Sequence, residues 1–149
     1  MEMPHVQGEN MRENFDISVE FLKTLEGYES NDPRDKGGRT KYGISSVYNP
    51  DVDMDALTWE KAKTIYLEKY WKPLGCDGLS FPLDLALFIQ GVNTWSAKRY
   101  MEESNGLLDF FMRCLEHYST RSRQQRAAYL TGWNNRLVAL WKEIKRRQS

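Results

Sequence analysis

Two cysteines and two histidines in 149 residues are too few for most metal centres. Cys76 and Cys114 show no ligand spacing, and His5 and His117 add none. No metal site and no cofactor is therefore expected, and a single cysteine pair cannot build a disulfide framework. The two thiols are read as buried or free, with one bridge open to them. No apolar run approaches the roughly 20 residues of a membrane span. The opening stretch Met1-Glu2-Met3-Pro4-His5-Val6-Gln7-Gly8-Glu9-Asn10 lacks the apolar core of a secretory signal. The expectation is a chain made in the cytoplasm without a signal peptide. Net charge is also absent, with 21 bases against 21 acids, so no single sign of field pervades the whole molecule. Repeats and low-complexity linkers are missing too. Length bounds the chain to one compact domain.

Charge is present but unevenly spread. Residues 1–60 hold thirteen acids and six bases, whereas residues 119–149 hold one acid and eight bases. Arg121, Arg123, Arg126, Arg136, Lys142, Lys145, Arg146 and Arg147 make the C-terminal helix basic. Such a face can be merely solvated, can complement a helix dipole, or can meet an anionic polymer. No nucleic-acid motif accompanies it, so nucleic acid is not the expected partner. Five Trp and eight Tyr are many for this size, serving either to fill a core or to stack against sugar rings.

Glu26 carries the chemistry. Phe15, Val19, Leu22 and Leu25 recur with helical spacing, which sets Glu26 beside an apolar stripe at a helix end. Asp35 follows on a Gly37-Gly38 turn that needs positive φ, and Thr40 comes five positions later. A carboxylic acid kept protonated by apolar surroundings, with an ionised carboxylate in a wetter place, is the pair that glycoside cleavage uses. Arg39 to Ile44 alternates with period two, predicting a short strand in which Thr40 and Tyr42 face one side, toward Glu26. Further on, Thr58 is a good N-cap for a helix carrying Ala62, Ile65, Tyr66 and Tyr70 and stopping before Pro73. After Pro82, the run Leu83 to Val92 has almost no polar face and predicts a buried central helix ending at Asn93. Two amphipathic helices complete the chain, over 107–118 and 123–145.

The stretch Leu25-Glu26-Gly27-Tyr28-Glu29-Ser30-Asn31-Asp32-Pro33-Arg34-Asp35-Lys36-Gly37-Gly38-Arg39-Thr40-Lys41-Tyr42-Gly43-Ile44-Ser45 resembles the signature of glycoside hydrolase family 108. That family comprises muramidases of phage endolysins and bacterial envelope proteins, with the pattern E-G-G-Y…D-P-x-D-x-G-G-x-T-x-Y-G-I. Residues 57–66 with Tyr70-Trp71 resemble its second helix, and Phe88-Ile89-Gln90-Gly91-Val92-Asn93 its F-D-x-x-V-N helix. Arg113, Tyr118 and Gly132-Trp133-Asn134-Asn135-Arg136 are similar to a trailing wall-binding segment. Three positions depart from the pattern. Tyr28 replaces the second glycine, Ile89 replaces an Asp in the buried helix, and the stretch between Lys98 and Leu115 is short.

The resemblance implies an α+β, mostly helical, lysozyme-like fold with a small β-hairpin beside an active-site cleft. It implies an N-acetylmuramidase acting on peptidoglycan glycan strands. Glu26 would be the general acid, Asp35 the base or charge stabiliser, and Thr40 the residue that positions water. Tyr42, Asn93, Gln90 and Trp71 would line sugar subsites. A flexible extension over 1–14, a muramidase core over 15–104 and a helical segment over 105–149 would make up one monomeric domain. Its basic helix would be able to bind anionic envelope polymers. The enzyme would act in the periplasm or cell wall of bacteria after holin-type or other delivery. A lytic transglycosylase cleaving the same bond and a catalytically weak envelope-binding protein are the rival readings.

Overall fold

The computed structural model describes residues 7–30 and 38–149. The chain divides into two compact units, Met1–Pro73 and Leu74–Ser149. Asp35 and Gly37 lie outside the described residues, as do the first six residues of the expected extension.

In the first unit, helix α1 (Gln7–Leu25) starts well before Phe15, where the apolar periodicity begins. Its inward face is Phe15, Val19 and Leu22, all buried, with Ser18 beside them. Spacing of four and three residues puts these side chains on one stripe. The strands β1 (Glu29–Ser30), β2 (Thr40–Lys41) and β3 (Ile44–Ser45) form an antiparallel sheet in that order. Glu29 pairs with Lys41 and Ser30 with Thr40, and on the other side Thr40 pairs with Ser45 and Lys41 with Ile44.

The single strand expected across 39–44 is therefore a hairpin. Tyr42 (φ 54°) and Gly43 (φ 78°) form its two-residue turn. Successive left-handed residues match the twist of two antiparallel strands, and glycine at the second position makes this affordable. Period-two alternation stops where the turn begins, so Tyr42 does not continue the face of Thr40.

Helix α2 (Trp59–Tyr66) starts as expected, with the Thr58 hydroxyl accepting from the Lys61 N–H at 3.3 Å. It does not stop before Pro73. It widens into a π-helical turn over Leu67–Trp71, with Lys72 N–H reaching back to the Leu67 carbonyl, and runs on to Leu74. This turn carries the inward position from Tyr66 to Trp71, a step of five residues that a regular α-helix would not keep on one face. Trp71 takes the buried place, edge-on to Phe15 at 5.4 Å between ring centres.

The second unit is built on α3 (Leu83–Asn93), whose residues from Asp84 to Gly91 are all buried. Around it come α4 (Ser96–Glu103), which the sequence reading missed, then α5 (Leu107–Ser119) and α6 (Arg123–Gln148). Gly91 lets α3 pack tightly on Leu74, whose side chain fills the space a Cβ there would need. Cys76 and Cys114 are both buried free thiols, and burial pushes Cys114 up to about 12. No helix among the described residues is long and apolar enough to cross a membrane.

Candidate functional site

Glu26 sits one residue beyond α1, its N–H still donating to the Leu22 carbonyl at 3.0 Å. The Glu26 side chain is half-buried, and what covers it is the hairpin turn. A Cβ placed on Gly43 would lie 2.8 Å from Glu26 Cγ and 2.5 Å from Tyr66 Oη. Glycine is needed here twice over, for the close approach and for the positive φ. The Tyr66 hydroxyl fixes the turn by donating to the Tyr42 carbonyl at 2.6 Å. Tyr66 is itself buried on the inward face of α2, so the turn is tied to a rigid helix. Tyr70, the next aromatic on α2, is held above its ordinary phenol range by burial first and by the negative charge of Glu26 second. One carboxylate is thus surrounded by elements from three parts of the first unit: the end of α1, the β2–β3 turn and α2.

Aromatic rings extend outward from this point. Tyr42 packs edge-on to Tyr28 at 5.1 Å and tilted against Trp59 at 5.6 Å. Tyr28 is 63% exposed. Trp59 is oriented by its Nε1–H, which donates to Glu20 at 3.0 Å, and Lys23 stands over its ring at 4.7 Å. Desolvation raises the Tyr42 phenol above its usual value, and neighbouring Tyr28 adds to it.

The sheet behind is held by charge. Arg39 bridges Glu29 and Asp55, each at 2.7 Å, tying the start of β2 to the loop before α2. Hydrogen bonding to Arg39 keeps the Asp55 carboxyl below its usual range. Buried Lys41 reaches the Met54 carbonyl at 3.3 Å, pulling that loop against the sheet.

The expected site residues fall into separate groups. Glu26, Thr40 and Tyr42 belong to the first unit. Thr40 is half-buried on the central strand, two residues before the turn that touches Glu26. Trp71 is in the same unit but only 1% exposed, so it fills the core instead of offering a face to a sugar. Gln90 and Asn93 lie in the second unit, joined through Tyr118. Its hydroxyl donates to Gln90 Oε1 at 2.6 Å and accepts from Asn93 Nδ2 at 2.9 Å. Gln90 is fully buried, so its role in this structure is to anchor that network, and burial pushes the Tyr118 phenol up to about 12.

Gly43, Tyr66 and Trp59 were not singled out from the sequence as site residues. The local mark that points to Gly43 is the glycine itself, which inside a strand pattern signals a turn, bulge or close backbone approach. Tyr66 and Trp59 carry no such local mark. No group of three or more His, Cys, Asp or Glu suited to a metal ion occurs among the described residues.

The glycosyl hydrolase 108 family matches residues 19–94, which span the end of α1, the sheet, α2 and α3. The chain belongs to this family. Membership makes it a glycoside hydrolase of a family that acts on peptidoglycan. The structure of Brucella abortus SagA has the same fold, with a TM-score of 0.72 over 89% of this chain and 94% of that one. Sequence identity to it is 19%, so that likeness speaks for the fold alone. The fold is the expected lysozyme-like α+β arrangement, mostly helical with a small antiparallel sheet. No curated protein matches the sequence.

Proposed function

We propose that the protein is an N-acetylmuramidase that hydrolyses the β-1,4 bond between N-acetylmuramic acid and N-acetylglucosamine in bacterial cell walls. The observation that carries this is the packing of Glu26, a half-buried carboxylate held between the Gly43 turn and α2 inside the family-matched segment. Glu26 is the general acid that protonates the leaving glycosidic oxygen. Asp35 is the second carboxylate, acting as base or stabilising the oxocarbenium-like transition state. Thr40 orients the attacking water. A water held by a hydroxyl favours inversion, for which the two carboxyl groups stand about 6.5–9.5 Å apart. The exposed ring of Tyr28 and the half-buried Tyr42 and Trp59 offer apolar faces on which sugars stack. Asn93 is the candidate from the second unit, and the basic residues 119–149 favour anionic envelope polymers.

The test is Glu26→Gln, which keeps the shape and removes the ionisable group. Loss of a general acid lowers the rate by about 10²–10⁴. Turbidity of purified sacculi should then stay nearly constant while the melting temperature holds. A variant keeping more than about a tenth of wild-type lysis would reject the role.

Ile89 favours a second reading. It is fully buried where the family pattern has an Asp, which removes a carboxylate from α3. A weak enzyme that mainly binds the wall would retain sacculi without releasing fragments. A transglycosylase would instead leave anhydro ends on its products.

A further inference from the structure

Helices α5 and α6 leave between them a groove of about 470 Å³ whose walls are almost wholly carbon. Phe111 and Leu137 form its buried floor, while Leu108, Met112, Val138 and Trp141 stand around it 68%, 50%, 52% and 43% exposed. Four large apolar side chains meeting water around one groove are more than folding alone accounts for, and such patches mark interaction sites.

The rim is cationic. Lys142 lines the groove, and Lys145, one turn beyond Trp141 on the same face of α6, holds its ammonium 4.9 Å from the Trp141 ring centre. The acids nearby are largely answered from within. Glu143 is gripped by Arg146 at 2.6 Å and Arg147 at 2.8 Å, and Asp109 faces Arg113 at 3.4 Å. Glu116 is the exposed acid on α5.

We propose that this face seats the protein on an anionic phospholipid surface. Leu108, Met112 and Val138 enter the acyl boundary, Trp141 lies at headgroup depth, and Lys142 and Lys145 extend to the phosphates. Lysine stems lie along apolar surface while their heads seek anions, and tryptophan favours the same interface. A second copy of this chain is a poorer occupant, because a two-fold contact would bring the Lys142 and Lys145 charges of both copies into one interface. A glycan strand would find almost no polar group in the groove to bond its hydroxyls. The proposal stands apart from the role of Glu26, since it concerns only α5 and α6.

Flotation of the full chain with vesicles tests it. Partitioning onto mixed phosphatidylglycerol and phosphatidylcholine vesicles should exceed that onto phosphatidylcholine alone by roughly tenfold and fall with salt. The double variant Leu108→Gln/Val138→Gln should lose roughly tenfold in partitioning with its melting temperature unchanged, because both residues are exposed. Lys142→Glu/Lys145→Glu should abolish the preference for anionic lipid. Brominated acyl chains should quench tryptophan emission in the wild type and far less in Trp141→Phe. The proposal is overturned if the protein does not float, or if the apolar double variant binds like wild type, which would leave charge alone as the cause. It also fails if sedimentation shows a lipid-independent dimer that the apolar double variant dissociates.

Discussion

The turn over Glu26 offers the sharpest test of how the site is held, through Gly43→Ala. The added Cβ would start 2.5 Å from Tyr66 Oη and 2.8 Å from Glu26 Cγ, while ordinary contact begins at 3.4 Å. The turn must therefore open by about 0.9 Å against the tyrosine. Tyr66 cannot yield, because it is buried in the core of the first unit. Opening breaks its 2.6 Å hydrogen bond to the Tyr42 carbonyl, a loss of about 1 kcal/mol. Holding alanine at a positive φ adds about 1–2 kcal/mol. The sum, about 2–3 kcal/mol, lowers the melting temperature by roughly 5–10 °C for a chain of this length.

Activity should fall further than stability. A displacement near 1 Å at a reacting group is enough for about a 10²-fold loss of rate. Sacculus turbidity and thermal melting of Gly43→Ala measure the two effects separately. Adding Tyr66→Phe removes the nearer obstacle but not Glu26 Cγ, so the double variant should recover part of the stability and little of the lysis. If Gly43→Ala alone lyses sacculi within a few-fold of wild type and melts normally, the packing argument for this site is wrong.

Trp71→Ala should behave as a core deletion, losing about 3–5 kcal/mol in urea unfolding, and the folded fraction should bind soluble glycan with unchanged affinity. A selective loss of glycan affinity at full stability would restore its reading as a sugar platform. His117, hydrogen-bonded to Tyr100 at 2.7 Å, is held below the usual imidazole value by burial, with Arg121 and Arg99 adding. The unfolded chain then takes up that proton first, so stability is whole above about pH 6.5 and declines as pH falls below it. Melting temperature should drop as pH falls below about 6.5, and His117→Asn should flatten that drop. Asp55, Asp109 and Glu143, all held below the usual carboxyl range, lose their contribution only in more acidic solution.

What was legible in the sequence was local. Thr58 announces the start of α2 because a hydroxyl before a helical run satisfies an open N–H. The run from Leu83 to Val92 announces a buried helix because apolar residues surround its axis and leave only Asp84 and Gln90 to be satisfied. Gly38 announces left-handed backbone, and its φ is 67°. Each of these depends on a few neighbouring residues and one rule of geometry.

The structure decided what depends on distant partners. Trp71 reads as a candidate for lining a sugar subsite until the π turn sets it inward and Phe15, far earlier in the chain, packs against it. Tyr42 reads as a strand residue until the pairing of Thr40 with Ser45 forces it into the turn. The sequence by itself determined that Glu26 ends an apolar helix. That Gly43 and Tyr66 would close on that carboxylate was set only by tertiary packing, because a periodic stripe tells which face is buried but not which distant residue meets it.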